Sequence, residues 1–543
     1  MHKDDNNLDN ISVEAKKLAA PLPSPKEKPD KKTFEYTDDE VLAKASTVES
    51  KVPKFEETLK EDIGTYHKLD YVSNNVEEAS VNKILRWFVS SPAKLIISSF
   101  VILILIGTLL LALPISNNSA RWTDPFTSIF TSTSAVTVSG ITLVDTGLYW
   151  SGFGQAVILV LMQIGGIGLI TIAAMFFILA DKKINMNTLR AVQDSIGGES
   201  VRDVSDLVKS VVKVTLGLEF IGAIILTWSF WDYMAPGEAI WTGVFQSVAA
   251  FNNSGFDILS PHFPSNSSLT FFSGNVLVLI TVGLLITFGG IGFIVWKDIL
   301  DAIKNKRALS FHSILVLSLT AIVISVSSFL ILFFEWNNTS ANSMGLMDSI
   351  DKSTNALFQT MTMRTAGFSS VDQSTLTYPT KLLGSLIMFA GASPVSTGGG
   401  LKITTLAIFL SAIGSSLRGR KEVNLLGHKI SSEVVRRATV IVAVYLISLV
   451  SLIAALVITQ DGALQSGVLT VEDIFYESIS ALSTTGISSE STALMNRAGH
   501  IILMLAMLVG RVGPFTITLT FSYNKSKDKL ATEVLPEGDV YLG

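Results

Sequence analysis

FTSTSAVTVSGI (Phe130–Ile141), FQSVAAFNNSGF (Phe245–Phe256), FQTMTMRTAGF (Phe358–Phe368) and YESISALSTTGI (Tyr476–Ile487) are four versions of one segment. Each opens on an aromatic residue, passes through small residues and closes on a glycine followed by Ile or Phe. The glycines, Gly140, Gly255, Gly367 and Gly486, are 115, 112 and 119 residues apart. A near-constant period means one structural unit used four times. Because each copy stands between apolar stretches, four units can surround one axis and line a passage with backbone carbonyls. Glycine at each tip permits backbone angles that other residues resist and lets four chains come close. The plainer reading of such glycines is tight helix packing, which small residues also serve in membranes. Four copies, each after a short segment led by an aromatic residue, favour the passage.

Composition sets the class. The chain has 543 residues, of which 48% are hydrophobic and only 16% charged, with a mean hydropathy of +0.47. The charges are segregated, which is the mark of a membrane protein. Residues 1–93 hold 14 Lys and Arg against 18 Asp and Glu. They contain no apolar signal-like run, so residues 1–90 read as a polar, partly disordered cytosolic extension. Zero cysteines exclude disulfides, thiolate metal sites and cysteine nucleophiles. No HExxH, GxSxG or Walker pattern occurs and the six histidines have no metal-ligand spacing, so an enzyme is not expected. The net charge of −5 says little about partners, and no nucleic-acid partner is expected.

Apolar runs of spanning length recur at Lys94–Pro114, Gln155–Ala180, Val208–Trp231, Phe271–Trp296, Ile314–Phe334, Lys381–Ile413, Thr439–Thr459 and Ile501–Phe521. That is two per glycine loop, each long enough for the hydrocarbon thickness. The segments just before the glycines, such as Asp124–Val136, are too short to cross and suit re-entrant half-helices. The expected fold is therefore an all-α membrane protein of four pseudo-symmetric span–pore-helix–span repeats around one central pore. It would have eight transmembrane helices and four re-entrant half-helices. The repeats cover 91–185, 186–300, 301–425 and 426–532, and a tail follows at 533–543. Lys and Arg number 17 in 181–204, 297–310, 412–437 and 524–531, against four on the other side (Arg121, Lys352, Lys381 and Arg497). The positive-inside rule then places both termini in the cytoplasm and opens the glycine loops outward.

Three residues close each loop: Val138-Ser139-Gly140, Asn253-Ser254-Gly255, Thr365-Ala366-Gly367 and Thr484-Thr485-Gly486. They are the candidate selectivity filter and K+ site. None is acidic, which weakens a filter built on a carboxylate ring. The half-helix ends, with their carbonyl poles inward, favour cations at the axis. The third loop is one residue shorter between its aromatic residue and its glycine.

The sixth apolar run is interrupted by Gly391-Ala392-Ser393-Pro394-Val395-Ser396-Thr397-Gly398-Gly399-Gly400. Pro394 removes a backbone donor and three glycines disfavour helix, so this stretch reads as a non-helical loop lining the cavity below the filter. A plain helix kink needs only one breaker. Lys402 follows, and either contacts the cavity or snorkels to the inner surface. Arg511 lies inside the last span, where an unpaired charge is costly, so it is expected to face the axis and the third-unit loop. Arg364 is expected behind the filter, bonded to a carboxylate or to carbonyls, with Glu477 as a candidate partner in bracing it. QIGGIG (163–168) and FGGIGF (288–293) read as sites of close helix packing.

The pattern resembles the Ktr/Trk/HKT superfamily of potassium transporters, most of all the membrane subunit of bacterial Ktr systems. The residues that carry the resemblance are TVSGIT (137–142), NNSGF (252–256), RTAGF (364–368), STTGIS (483–488), GASPVSTGGGLK (391–402) and GRVGP (510–514). It covers about residues 90–543 and leaves the polar extension outside. It implies a potassium-translocating pore in the plasma membrane lipid bilayer, with K+ as the transported ion and Na+ coupling left open. It also implies a homodimer with one pore per protomer, and a gate formed by the 391–400 loop with Lys402 and Arg511. A separate cytosolic ring subunit that binds a nucleotide (ATP, ADP or NAD) would control it, and the tail LPEGDVYLG (535–543) would pack at the dimer interface. The alternative is an alternating-access cation symporter that uses the broken helix as its binding site.

Overall fold

The computed structural model describes residues 92–168, 201–263, 268–420, 422–489 and 491–513. The extension 1–90, the tail 533–543 and the basic stretch 524–531 lie outside these residues, as does most of the first inter-unit connection. The described chain is helical apart from one short hairpin, β1 (Val423–Leu425) paired antiparallel with β2 (His428–Ile430).

Its helices follow the four-unit order. The first unit holds α1 (Pro92–Ala112), α2 (Pro125–Thr137) and α3 (Gly152–Ile167); the second holds α4 (Val201–Phe230), α5 (Pro236–Phe251), α6 (Val276–Ile291) and α7 (Phe293–Asn305). The third holds α8 (Phe311–Glu335), α9 (Ser349–Met363), α10 (Tyr378–Ala390) and α11 (Ile403–Leu417). The fourth holds α12 (Ser432–Thr459), α13 (Val471–Leu482) and α14 (Arg497–Val512). Among the described residues, 208–230, 311–335 and 432–459 are long and apolar enough to cross a membrane, and α6 with α7 would make a fourth span if joined. The expected unbroken span over Phe271–Trp296 is corrected: the helix breaks at Gly292 and α7 leaves α6 at 93°.

The short helices α2, α5, α9 and α13 precede the four glycine loops. Their starts are written in the sequence. Asp124 accepts from Thr127 N at 3.3 Å ahead of Pro125, Pro236 opens α5, and Thr470 with Asp473 forms a capping box on α13. Their interiors invert the usual soluble pattern. In α2 the buried residues include Ser128, Thr131, Ser132, Thr133, Ser134 and Thr137, while Ile102, Leu109, Phe220, Trp228, Phe329 and Phe333 of the long helices face outward. A polar interior inside an apolar shell is stable where the surroundings are hydrocarbon.

Hydroxyls and missing side chains join the units. Ser132 Oγ donates to Ile104 O and Ser247 Oγ to Glu219 O, both at 2.7 Å, so α2 docks on α1 as α5 docks on α4. A Cβ added at Gly165, Gly289 or Gly510 would strike the carbonyl oxygen of Val136, Phe251 or Leu482, respectively. Each of those carbonyls belongs to the residue four before its loop glycine. The backbone of the short helix thus rests on a glycine of the following helix in three of the four units.

Replacing Gly289 by Val should therefore overpack this contact, at a cost of about 1–3 kcal/mol or more. Thermal unfolding in detergent should show a clear fall in melting temperature. Gly217→Ala is the control, because nothing lies near a Cβ there; equal behaviour of the two variants would contradict the packing described.

Candidate functional site

The geometry of the site begins with how the short helices end. In the first, second and fourth units the N–H of the residue before the glycine bonds five residues back: Ser139 N to Ser134 O at 2.9 Å, Ser254 N to Ala249 O at 2.9 Å and Thr485 N to Ser480 O at 2.8 Å. The preceding N–H bonds three back, from Val138 to Ala135 O, from Asn253 to Ala250 O and from Thr484 to Ala481 O. This is the Schellman pattern, which calls for a left-handed residue between helix and loop. Glycine is the usual occupant, yet Val138, Asn253 and Thr484 hold φ of 56°, 56° and 51°. In the third unit Thr365 takes φ 68°, and Ala366 N reaches only four back, to Thr362 O at 2.9 Å. The missing residue of that loop is absorbed in this shorter closure.

The loops then meet in a closed ring. A Cβ at Gly140 would press on Ser254 O, one at Gly255 on Ala366 O, one at Gly367 on Thr485 O and one at Gly486 on Ser139 O. Each glycine lies against the carbonyl of the residue just before the next unit's glycine, and the fourth contact returns to the first unit. No side chain fits at this approach. All four glycines also line one cavity of about 520 Å³, together with Asp145 and Asp257.

Beneath the ring lies the 391–400 stretch, which is non-helical. It docks against the break between α6 and α7. Ser393 N donates to Gly290 O at 3.1 Å and Thr397 N to Gly289 O at 3.3 Å, while Phe293 N donates to Val395 O at 2.8 Å. Within the stretch Ala392 N donates to Gly399 O at 3.2 Å, and Ser396 Oγ to Ser393 O at 2.7 Å. The Asn253 amide nitrogen reaches Phe251 O, Ile286 O and Thr397 Oγ1 at 3.1–3.2 Å. A Cβ at Gly398 would meet Thr365 Oγ1, and one at Gly399 would meet Thr484 Oγ1. The stretch therefore runs directly against the start of the glycine loops, with Pro394 and Gly400 at its turns.

Two cations hold it. Arg511 donates through one guanidinium nitrogen to Thr397 O and through the other to Gly165 O and Gly166 O, the last at 3.1 Å. It thus ties the third-unit stretch to the end of α3. Lys402 turns back on its own stretch, with Nζ 2.7 Å from Gly398 O and 3.4 Å from Gly399 O. Neither side chain has an acidic partner among the described ion pairs.

Arg364 and Glu477 are not brought together, which corrects the expected pairing. Arg364 is buried and its guanidinium donates to Thr320 Oγ1 of α8 at 3.3 Å. Glu477 accepts from Ser488 Oγ, and from Ser491 Oγ and Thr492 Oγ1 at 2.8 Å each. Hydroxyls of the chain leaving the fourth loop satisfy the carboxylate instead, so it needs no cation.

The glycine doublets carry more than packing. Gly168, Gly292 and Gly513 end their helices with φ of 90°, 101° and 91° and ψ of 127°, 140° and 127°. Lys402 has φ 83° and ψ 122°, the same conformation at the matching point of the third unit. Aligning GGIG, GGIG, GGLK and GRVG would have exposed this second repeat. Glu219 was also missed; it is buried in α4 and hydrogen-bonded to Gln163 and Asn252. A single acid in an apolar run was its signal.

Residues 86–532 match the family model for TrkH, described as a cation transport protein. The chain is 31% identical over 465 residues to Ktr system potassium uptake protein B of Bacillus subtilis, covering 85% of this chain and 99% of that one. It is 32% identical over 453 residues to the potassium/sodium uptake protein NtpJ of Enterococcus hirae, covering 83% and 97%. The crystal structure of the potassium transporter TrkH from Vibrio parahaemolyticus has a similar fold, with a TM-score of 0.56 at 18% identity over 78% of this chain and 84% of that one. The four-fold loop ring, the helical fold and these matches agree: the chain belongs to the TrkH family of cation transport proteins.

Proposed function

We propose that this protein takes up potassium across the cell membrane through the ring formed by its four glycine loops. The supporting observation is the closed circuit in which each loop glycine rests on the carbonyl of the next loop. Such a circuit sets four backbone oxygens at one level around an axis, the arrangement that replaces the water of a monovalent cation. Val138-Ser139-Gly140, Asn253-Ser254-Gly255, Thr365-Ala366-Gly367 and Thr484-Thr485-Gly486 form the filter in this reading. Eight spans and four re-entrant helices carry it, with both termini cytoplasmic as the charge asymmetry requires. Na+ accompanies or modulates the flux, in keeping with the dual name of the NtpJ relative.

The 391–400 stretch closes the passage below the ring, held by Arg511 and Lys402. Both side chains place positive charge under the filter, which repels a cation there. A homodimer and a separate cytosolic nucleotide-binding regulatory subunit complete the assembly in this reading. The basic segment around Arg418, Arg420 and Lys429 and the tail are their docking sites.

Three measurements test the proposal. Ion competition in liposomes should find Gly140→Ser less able to prefer K+ over Na+, by about tenfold or more, because a side chain there displaces Ser254 O; unchanged preference would sink the filter assignment. Arg511→Gln should raise K+ flux several-fold by freeing Thr397, and identical flux and gating would remove Arg511 from the gate. The third concerns pH. Burial raises the carboxyl of Asp257, the Leu259 N–H lowers it and Asp145 raises it again, which leaves it at about 7. The group is therefore charged, and attracts cations, only above about neutral pH. Uptake at low K+ should fall as external pH drops from about 8 to about 6, and Asp257→Asn should flatten that profile; a profile unchanged by the substitution excludes Asp257.

A further inference from the structure

The residue three before each loop glycine is Thr137, Asn252, Arg364 or Ser483, and these four secure their loops in different ways. In the first and fourth units the securing contact is internal: Thr137 Oγ1 lies 2.9 Å from Ser139 Oγ, and Ser483 Oγ lies 2.7 Å from Thr485 Oγ1. In the third, Arg364 reaches outward to Thr320 Oγ1. In the second, Asn252 also reaches outward, into a buried cluster of amides and one acid.

The cluster has three hydrogen bonds. Asn252 Nδ2 donates to Gln163 Oε1 at 2.7 Å and to Glu219 Oε1 at 3.0 Å, and Gln163 Nε2 donates to Glu219 Oε2 at 3.1 Å. Gln163 belongs to α3 of the first unit, Glu219 to α4 and Asn252 to the end of α5, so the cluster joins two units behind the second loop. Its amide orientation is fixed, since turning Asn252 over would aim its oxygen at a carboxylate. Gly166 leaves the space that Asn252 Oδ1 occupies; a Cβ there would collide with it. Glu219 has no cationic partner among the described ion pairs, and its two carboxyl oxygens accept from the two amides.

We infer that Glu219 and Gln163 are positioning residues for the second filter loop. They hold Asn252, and with it the left-handed turn at Asn253 and the carbonyls of Asn253 and Ser254, at the ring. The inference rests on the filter reading given above. Asn252 immediately precedes the left-handed residue, so rotation of its side chain and backbone moves the Ser254 oxygen that faces Gly140. A buried hydrogen bond left unmade is costly enough to reset such a turn.

The cluster contains its own test, because the roles of Glu219 and Gln163 can be exchanged. Glu219→Gln alone sets two amide groups against each other and loses one of the three bonds. The double substitution Gln163→Glu with Glu219→Gln restores all three: the amide at 219 donates to the carboxylate at 163, and Asn252 donates to both. K+ uptake competed by Na+ in liposomes is the readout, on protein that elutes as a single species from a sizing column. Glu219→Gln should lower the K+ preference by about three- to tenfold, the worth of one buried hydrogen bond, and the exchange should restore it. Gln163→Ala, which removes the bracket from the other side, should lower it likewise and serves if Glu219→Gln does not fold. Gly255→Ser is measured in parallel. If it shifts the preference while Glu219→Gln and Gln163→Ala do not, the positioning role is overturned and the filter stands. If the folded exchange variant fails to restore the preference, the hydrogen-bond account is overturned. If none of the variants moves the preference, the filter reading falls and this inference with it.

Discussion

Backbone that leaves the helix inside an apolar body must find its hydrogen bonds within the protein, and most of this structure follows from that requirement. The chain leaves the helix at four glycine loops, at the break after Gly292 and through the 391–400 stretch. The last two satisfy each other. Carbonyls of Gly289 and Gly290 accept from Thr397 and Ser393, and Val395 O accepts from Phe293 N at the start of α7. One broken helix thus supplies the partners that the other lacks. The sharp turn between α6 and α7 is accordingly a socket as well as a bend.

The same requirement explains the tips of the loops. A Schellman closure uses up the carbonyls of the short helix up to the turn, and leaves the oxygens of Ser139, Ser254 and Thr485 free to meet a neighbouring loop's glycine. The cost is a left-handed conformation at Val138, Asn253, Thr365 and Thr484, none of them glycine. Two β-branched threonines and a valine in that region are strained by about 1–3 kcal/mol each. The ring contacts around the glycines, tight and mutual, are what hold them there.

Much of this was legible in the letters. The aromatic residue, the small-residue run and the glycine recur at one spacing, and the breaker-rich stretch after Ala390 cannot be a helix. Even the deletion in the third loop had a structural counterpart, the hydrogen bond from Ala366 to Thr362 in place of one reaching a residue further back. Other features were not legible, for physical reasons. A glycine pair in an apolar helix serves packing and breaking equally, so QIGGIG and FGGIGF did not reveal their helix ends at Gly168 and Gly292. Opposite charges suggested that Arg364 and Glu477 would meet, but Glu477 accepts from hydroxyls 11, 14 and 15 residues along the chain and Arg364 donates to the Thr320 hydroxyl of another helix. Hydroxyls are so common here that no sequence pattern singles out Ser488, Ser491 and Thr492.

Two of the departures from four-fold symmetry put a cation where the other units have glycine. At the helix ends three units have glycine where the third has Lys402, in the same unusual backbone conformation. Three units have glycine, at Gly166, Gly290 and Gly400, where the fourth has Arg511. A lysine in a glycine conformation is unfavourable by itself. It is held by bonds from Nζ to Gly398 O and Gly399 O of the 391–400 stretch. Arg511 depends on the same stretch through Thr397 O. On the gate reading, displacing the stretch would break the bonds of both cations and release the strain at Lys402 in one event. On that reading the two cations, one of them the strained residue, share a single support and would be released together rather than by degrees.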